Sequence, residues 1–217
     1  MTGSEPIGDF SVRYVLSRTM QLVRLNPVQV GVALLVLIAM GVISDTETLG
    51  DGRGPTLVTS LIALAFQYSL TKRLLDQTGV GAATSARFAA LFGLNFLSTI
   101  AIVAGLVVLV APGLFLVVRW SLSVPILLGP DEPGIIESLR RSWRETQGRF
   151  WPILAVYALI WAISAAAIGG GVLMENLVLG SILANLGLNA GLIVGWHAAV
   201  AIYNRSERDA TLEEVFA

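Results

Sequence analysis

Arg119 is the residue whose type and position most suggest chemistry, because it is the single charge between Phe88 and Pro130. A guanidinium in hydrocarbon is costly unless a partner receives it. Counting 1.5 Å per residue from Gly113 places it roughly 9 Å inside one end of its helix, which we assign to the outer side. It could bond the unpaired carbonyls of the preceding helix and lock a hairpin. Alternatively it binds a lipid phosphate or another anion, or serves a transport pathway.

Few other polar groups interrupt the apolar segments. His197 is the single histidine, and without cysteine or a carboxylate inside a span it predicts no metal site. We expect it to bond a neighbouring helix, with proton sensing as the alternative. Hydrogen bonds between helices are also expected from Asn95, Asn185, Asn189 and Gln67. Hydrolase and phosphate-loop motifs are absent from the sequence, so we predict no catalytic residues, no cofactor and a non-enzymatic protein.

The composition is that of a membrane protein. Of the 217 residues, 55% are hydrophobic and only 13% are charged, whereas soluble domains are about a quarter charged. The net charge of −1 argues against a nucleic-acid partner. Thirteen of the 14 basic residues are arginine, which suggests a bacterial genome rich in G and C.

Six apolar segments predict an all-α polytopic membrane protein with three hairpins. They lie at 27–44, 55–71, 90–111, 113–129, 151–173 and 180–203. Pro112 and Gly113 are interpreted as a tight turn between the third and fourth segments, with one long kinked helix as the alternative. Six crossings put twelve basic residues on one side and Arg53 alone on the other, so both termini are expected in the cytoplasm. We divide the chain into a cytoplasmic N-terminus (1–26), a membrane domain (27–203) and a cytoplasmic tail (204–217).

Two cytoplasmic segments have the apolar and basic faces of helices that lie on a bilayer. They are 10–25 and 134–147, and Gly148 is expected to end the second. They are interpreted as connectors resting on the bilayer, or as segments that recognise anionic lipid. The candidate lipid-binding arginines, beside Arg119, are Arg13, Arg24, Arg140, Arg141 and Arg144.

Two ladders of small residues predict close helix packing. Gly187, Gly191, Gly195 and Ala199 follow one another at four-residue spacing in the sixth segment, as do Ala158, Ala162, Ala166 and Gly170 in the fifth. Such ladders let helix backbones approach closely. We expect the two ladders to pack on each other within one chain, and a contact between copies of the chain is the alternative.

Motifs in the second half of the chain resemble a bacterial family. The matching residues are Pro112, Gly113, Arg119, Pro125, Ser138, Leu139, Ser142, Trp143, Gly148 and Trp151. In this pattern the chain resembles the membrane domain of some glycerophosphoryl diester phosphodiesterases and stand-alone YciC-like membrane proteins. Ser138 departs from the usual alanine. In that family the phosphodiesterase activity belongs to a separate soluble domain that uses histidine and acidic residues. This sequence does not contain that domain, and it has one histidine.

The resemblance and the composition together predict a multi-pass protein of the bacterial inner membrane. We expect a scaffold, membrane-organising element or accessory subunit that engages phospholipid, as a homo-oligomer or within a larger complex. The alternative is a permease for a lipid or amphiphile that uses Arg119 as its anion site.

Overall fold

The computed structural model describes residues 11–45 and 53–216, and every regular element in those ranges is an α-helix. The helices are α1 (Val12–Leu25), α2 (Pro27–Asp45), α3 (Arg53–Gln77), α4 (Phe88–Val108), α5 (Val110–Arg119), α6 (Ser123–Leu127), α7 (Ile135–Glu145), α8 (Phe150–Val172) and α9 (Leu177–Phe216). The predicted all-α class is confirmed.

Five stretches of the described chain are long and apolar enough to cross a membrane. They are Pro27–Asp45, Phe88–Val108, Val110–Leu127, Phe150–Val172 and Leu177–Asp209. Each overlaps one of the predicted segments, which supports a multi-pass membrane protein. The predicted segment 55–71 lies in α3, which has 25 residues but is not among the five, because polar and charged residues recur along it.

Helix α9 is the centre of the molecule. It contacts α8, α2, α1 and α3, and its 40 residues span about 60 Å at 1.5 Å per residue. The helix does not end at the predicted boundary of 203, but continues through the segment that we assigned to a tail. Ala198, Val200, Ile202 and Tyr203 are buried near this boundary. The protein core therefore extends to the end where α1 and α7 lie.

Small residues bring α9 against α8, as the sequence predicts. A Cβ atom at Gly187 would lie 2.5 Å from the Cβ of Ala167, and one at Gly191 would lie 2.1 Å from Ser164 Oγ. Side chains at these two positions would push the helices apart. These two glycines of α9 thus lie where it contacts α8 of the same chain.

The alanine ladder of α8 does not form the contact with α9. Ala158, Ala162 and Ala166 are exposed, although Gly170 lies near Leu183. The face of α8 that meets the α9 glycines instead carries Tyr157, Ile160, Ser164, Ala167 and Gly171. Steps of four residues overshoot a 3.6-residue turn by about 40° each, so a strict ladder winds around the helix. Alternating steps of three and four stay on one face.

The turn between α4 and α5 lies at Leu109, where the backbone is extended (φ −159°, ψ 140°). The predicted turn at Pro112 and Gly113 is wrong, because both residues belong to the first turn of α5. Proline is tolerated there, since the first N–H groups of a helix have no partner within the helix. Gly113 instead closes the hairpin: a Cβ atom at Gly105 would lie 3.0 Å from its backbone nitrogen.

Both predicted amphipathic segments form helices, but neither lies free of the protein. Helix α1 buries Val15, Thr19 and Leu22 and contacts α9 and α8, so this face packs on protein rather than on lipid. Helix α7 buries Ser138, Leu139 and Ser142 and leaves Ile136 54% exposed. Gly148 follows α7 with a φ of +74°, as expected for a glycine that ends a helix.

Candidate anionic headgroup site between α5 and α7

The fourth apolar segment is broken next to Arg119. Helix α5 ends at Arg119, and the chain turns through residues 120–122 before α6 begins. Such a break leaves backbone groups without partners inside the helix. Ser142 of α7 is the partner of two such groups. Its Oγ donates to the carbonyl of Arg119 at 2.7 Å and accepts from the N–H of Leu122 at 3.1 Å. The break is therefore attached to α7 by one buried hydroxyl.

The guanidinium of Arg119 lies against two aromatic rings. Its central carbon is 5.0 Å from the centroid of Phe115 and 5.4 Å from that of Trp143. Ring faces attract a cation, but they do not satisfy its N–H groups. Nε and Nη1 are buried and have no hydrogen-bond partner in the part of the chain that the structure describes. Two donor nitrogens of a planar cation are thus buried without an acceptor.

This position contradicts the hairpin-lock role of Arg119. The side chain leans toward the start of its helix, where Phe115 lies one turn earlier, as expected for helical residues. It does not bond the last carbonyls of α4, however, since α7 packs beside it and provides Trp143. Arg119 therefore lies near the helix that we assign to the cytoplasmic side. Within α5 it is the last residue, at the end opposite to Pro112 and Gly113.

A groove of about 530 Å³ lies between α7 and the break. Its lining residues are Trp120, Ile136, Glu137, Leu139, Arg140, Trp143 and Arg144. Arg140 and Arg144 are exposed and lie one helical turn apart. A carboxylate oxygen of Glu137 is 3.4 Å from Arg144, and both side chains are at least half exposed, so this pair is weak. Trp143 is shared by the groove and the Arg119 stack.

Arg141 does not belong to this site. Its nitrogens lie 2.7 Å from Asp131 and 2.7 Å from Glu145, and they also contact Glu207 of α9. Burial opposes its charge, but the hydrogen bonds to Glu145 and Asp131 outweigh burial and raise its pKa. The assignment of Arg141 as a lipid-binding residue is therefore wrong, because it is already neutralised. Arg141 and Glu145 are four residues apart on α7, a spacing that favours such ion pairs.

The two arginines predicted on α1 lie apart from the groove. Arg13 and Arg24 are exposed and stand near opposite ends of α1. Arg140 and Arg144 line the groove, and Arg119 adjoins it through the ring of Trp143, whereas neither arginine of α1 is among the lining residues.

The polar residues of the membrane helices were only partly predicted. Asn95 donates to Gln67 across α4 and α3 at 2.9 Å, and Asn185 donates to Asp45 of α2 at 2.9 Å. Both are bonds between helices, as expected. Asn189 instead donates to the carbonyl of Asn185 in its own helix, so that prediction is wrong.

His197 also bonds its own helix rather than a neighbour. Its Nδ1 lies 2.7 Å from the carbonyl of Ile193. A carbonyl can only accept, so Nδ1 carries a proton. Nε2 is buried without a partner among the described residues. In the same ranges, no three histidine, cysteine or acidic side chains converge as a metal site would require.

The role of Ser142 was not predicted from the sequence. The signal available was its place beside Trp143 in the motif that supports the family resemblance. The structure joins Ser142 and Trp143 to Arg119, some twenty residues earlier in the same motif, by one hydroxyl and one ring. Among known proteins, the chain matches no protein-family model, no curated protein and no solved structure.

Proposed function

We propose that the chain is a non-enzymatic scaffold or accessory protein of the bacterial inner membrane, and that it binds anionic phospholipid in the groove between α5 and α7. The observation that carries the proposal is the guanidinium of Arg119, held by Phe115 and Trp143 with two buried donors unmatched. Phosphate oxygens match these donors, since a guanidinium forms paired hydrogen bonds with phosphate.

The surroundings of Arg119 suit a headgroup at the membrane surface. Arg140 and Arg144 line the groove and are exposed, and each basic residue near an anionic leaflet contributes about 1 kcal/mol of attraction. Trp120 and Trp143 are residues that favour the boundary between hydrocarbon and water. The groove with its two surface arginines thus adjoins, across Trp143, the fixed and partly desolvated guanidinium of Arg119.

The proposal includes six crossings with both termini in the cytoplasm. Helix α3 is the additional crossing, because its 25 residues exceed the roughly 20 needed to span hydrocarbon. A polar residue of α3 is compatible with a membrane when it contacts another helix rather than lipid. Gln67 does so, since it accepts a hydrogen bond from Asn95 of α4. Six crossings also keep the arginines of α1 and α7 on the same side. Assembly with further copies, and the family resemblance, stay hypotheses drawn from the sequence.

Transport of an anionic lipid past Arg119 is the competing hypothesis, and the geometry favours it less. A cavity of about 270 Å³ lies between α3, α8, α9 and the break, but neither Arg119 nor any other charged residue is among its lining residues. An anion moving through it would lose its counter-charge. Flux of phosphatidylglycerol through liposomes that contain the protein, abolished by Arg119→Ala, would establish transport and displace the scaffold role.

The test is native mass spectrometry of the purified protein supplied with equal amounts of phosphatidylglycerol and phosphatidylcholine. The wild type is expected to retain phosphatidylglycerol selectively. Arg119→Leu should lose about tenfold in affinity, the equivalent of 1.4 kcal/mol. Arg119→Lys keeps the charge but not the planar fork and should also weaken binding. Arg13→Leu, a matched change outside the groove, should leave the retention of phosphatidylglycerol unaltered. Equal retention by the wild type and Arg119→Leu would overturn the proposal.

A further inference from the structure

The cavity beside the break is a second site, chemically different from the groove. Its lining residues come from α3 (Gln67, Thr71), from the break (Ser121) and α6, from α8 (Tyr157, Ser164) and from α9 (Gly195). Four separate parts of the fold thus enclose about 270 Å³, close to the lower limit of small-molecule pockets.

The lining favours an uncharged ligand. Hydroxyl and amide groups come from Gln67, Thr71, Ser121, Tyr157 and Ser164, and no lining residue carries a charge. An ionised headgroup would lose hydration there without gaining a counter-ion. Hydroxyl or carbonyl oxygens of a neutral ligand, in contrast, can exchange hydrogen bonds with these groups.

The ligand would enter from the bilayer. Trp161, Leu188 and Leu192 line the cavity and are also 38%, 48% and 42% exposed on the outer faces of α8 and α9. These apolar surfaces border hydrocarbon in a membrane-spanning helix pair. A ligand that reaches the cavity between them has an apolar chain.

Two glycines of α9, which have no side chain, lie beside the cavity. At Gly191 a Cβ atom would lie 2.1 Å from Ser164 Oγ, so the helices touch there. At Gly195, one turn further, the nearest atom to an added Cβ would be Tyr157 Cε1 at 3.8 Å. A Cβ at Gly195 would thus make only an ordinary van der Waals contact with Tyr157, so α9 leaves more room beside this glycine than beside Gly191.

From these observations we propose that the cavity binds an uncharged single-chain amphiphile, such as a monoacylglycerol, with its hydroxyl groups at the polar lining and its chain in the lateral opening. This site is independent of the anionic groove. Arg119→Leu should therefore remove phosphatidylglycerol from the groove and leave the neutral ligand bound.

The experiment is photo-cross-linking of the full chain in phosphatidylcholine nanodiscs by a monoacylglycerol that carries a diazirine in its chain. Saturable labelling is expected on the α8 and α9 peptides that line the cavity. Gly195→Leu should reduce it about tenfold, because the new side chain fills the space. Gly169→Leu is the matched control, since an added Cβ there would meet nothing within 4 Å, and it should label as the wild type does.

Competition in the wild type tests the same site without a mutation. Excess unlabelled monoacylglycerol should suppress the labelling, and phosphatidylglycerol should not. Labelling that does not saturate, that is equal in the two glycine variants, or that phosphatidylglycerol suppresses equally well would overturn the proposal.

Discussion

Replacing Ser142 with alanine removes the hydroxyl that joins α7 to the break after Arg119. Ser142 and Leu122 are both fully buried, so the N–H of Leu122 and the carbonyl of Arg119 would lose their partner away from water. A hydrogen bond contributes about 0.5–1.5 kcal/mol, and a buried polar group left without a partner costs about 1–3 kcal/mol. We therefore expect Ser142→Ala to lower the free energy of unfolding by about 2–4 kcal/mol.

Ser138→Ala is the matched control on the same helix. Ser138 is also fully buried, but its Oγ donates to the carbonyl of Gly134, four residues earlier, at 2.9 Å. That carbonyl also accepts the backbone N–H of Ser138, so it keeps a partner when the hydroxyl is lost. The expected cost is below about 1 kcal/mol, because such bonds to the same helix contribute little.

Titration with sodium dodecyl sulfate in mixed micelles, followed by circular dichroism, measures the free energy of unfolding of both variants. Native mass spectrometry on the same samples measures retained phosphatidylglycerol. Ser142→Ala should be the less stable variant and should also bind less lipid, because the break positions Arg119 beside Trp143. Equal destabilisation by the two alanine substitutions would refute the role given to Ser142.

Two further predictions concern packing and pH. Gly187→Leu should prevent α8 and α9 from packing together, since even a Cβ there would lie 2.5 Å from the Cβ of Ala167. Ala162→Leu, on the exposed face of α8, should be tolerated. Thermal unfolding in detergent measures both variants, and an equal loss of stability in the two would contradict the packing. Hydrogen bonds from Ser85 lower the pKa of Glu132 from 4.5 to about 2. The pKa of the folded state is thus the lower one, so this carboxylate stabilises the fold above pH 4.5 and loses that effect as the pH falls toward 2. Glu132→Gln should therefore reduce the midpoint of thermal unfolding at pH 7 and change it little near pH 2, and the same reduction at both pH values would contradict this.

Local patterns in the sequence were enough for much of the helical architecture. Long apolar runs located the membrane helices, and the alternation of apolar and basic residues located α1 and α7. Gly148 was recognised as a helix end because its effect is confined to its own backbone. Asn95 was expected to bond another helix because an amide in hydrocarbon needs a partner, although its partner Gln67 could not be chosen from spacing.

The errors concern features that depend on how helices face each other. Spacing shows which residues share a face of α8 but not which face meets α9, so Ala158 and Ala162 were placed inside. Proline and glycine disfavour a helix interior, yet Pro112 and Gly113 fit the first turn of α5, and the chain reverses at Leu109 instead.

What the sequence determined by itself is therefore the membrane class, the approximate helices and the presence of one costly cation in an apolar stretch, because hydropathy and helix periodicity act between neighbours along the chain. The tertiary structure alone decided that Arg119 stacks on Trp143, that Arg141 is neutralised by three carboxylates and that α9 leaves a cavity at Gly195. Each of these contacts joins residues from different helices, and their energies depend on distances of a few ångströms that no local pattern specifies.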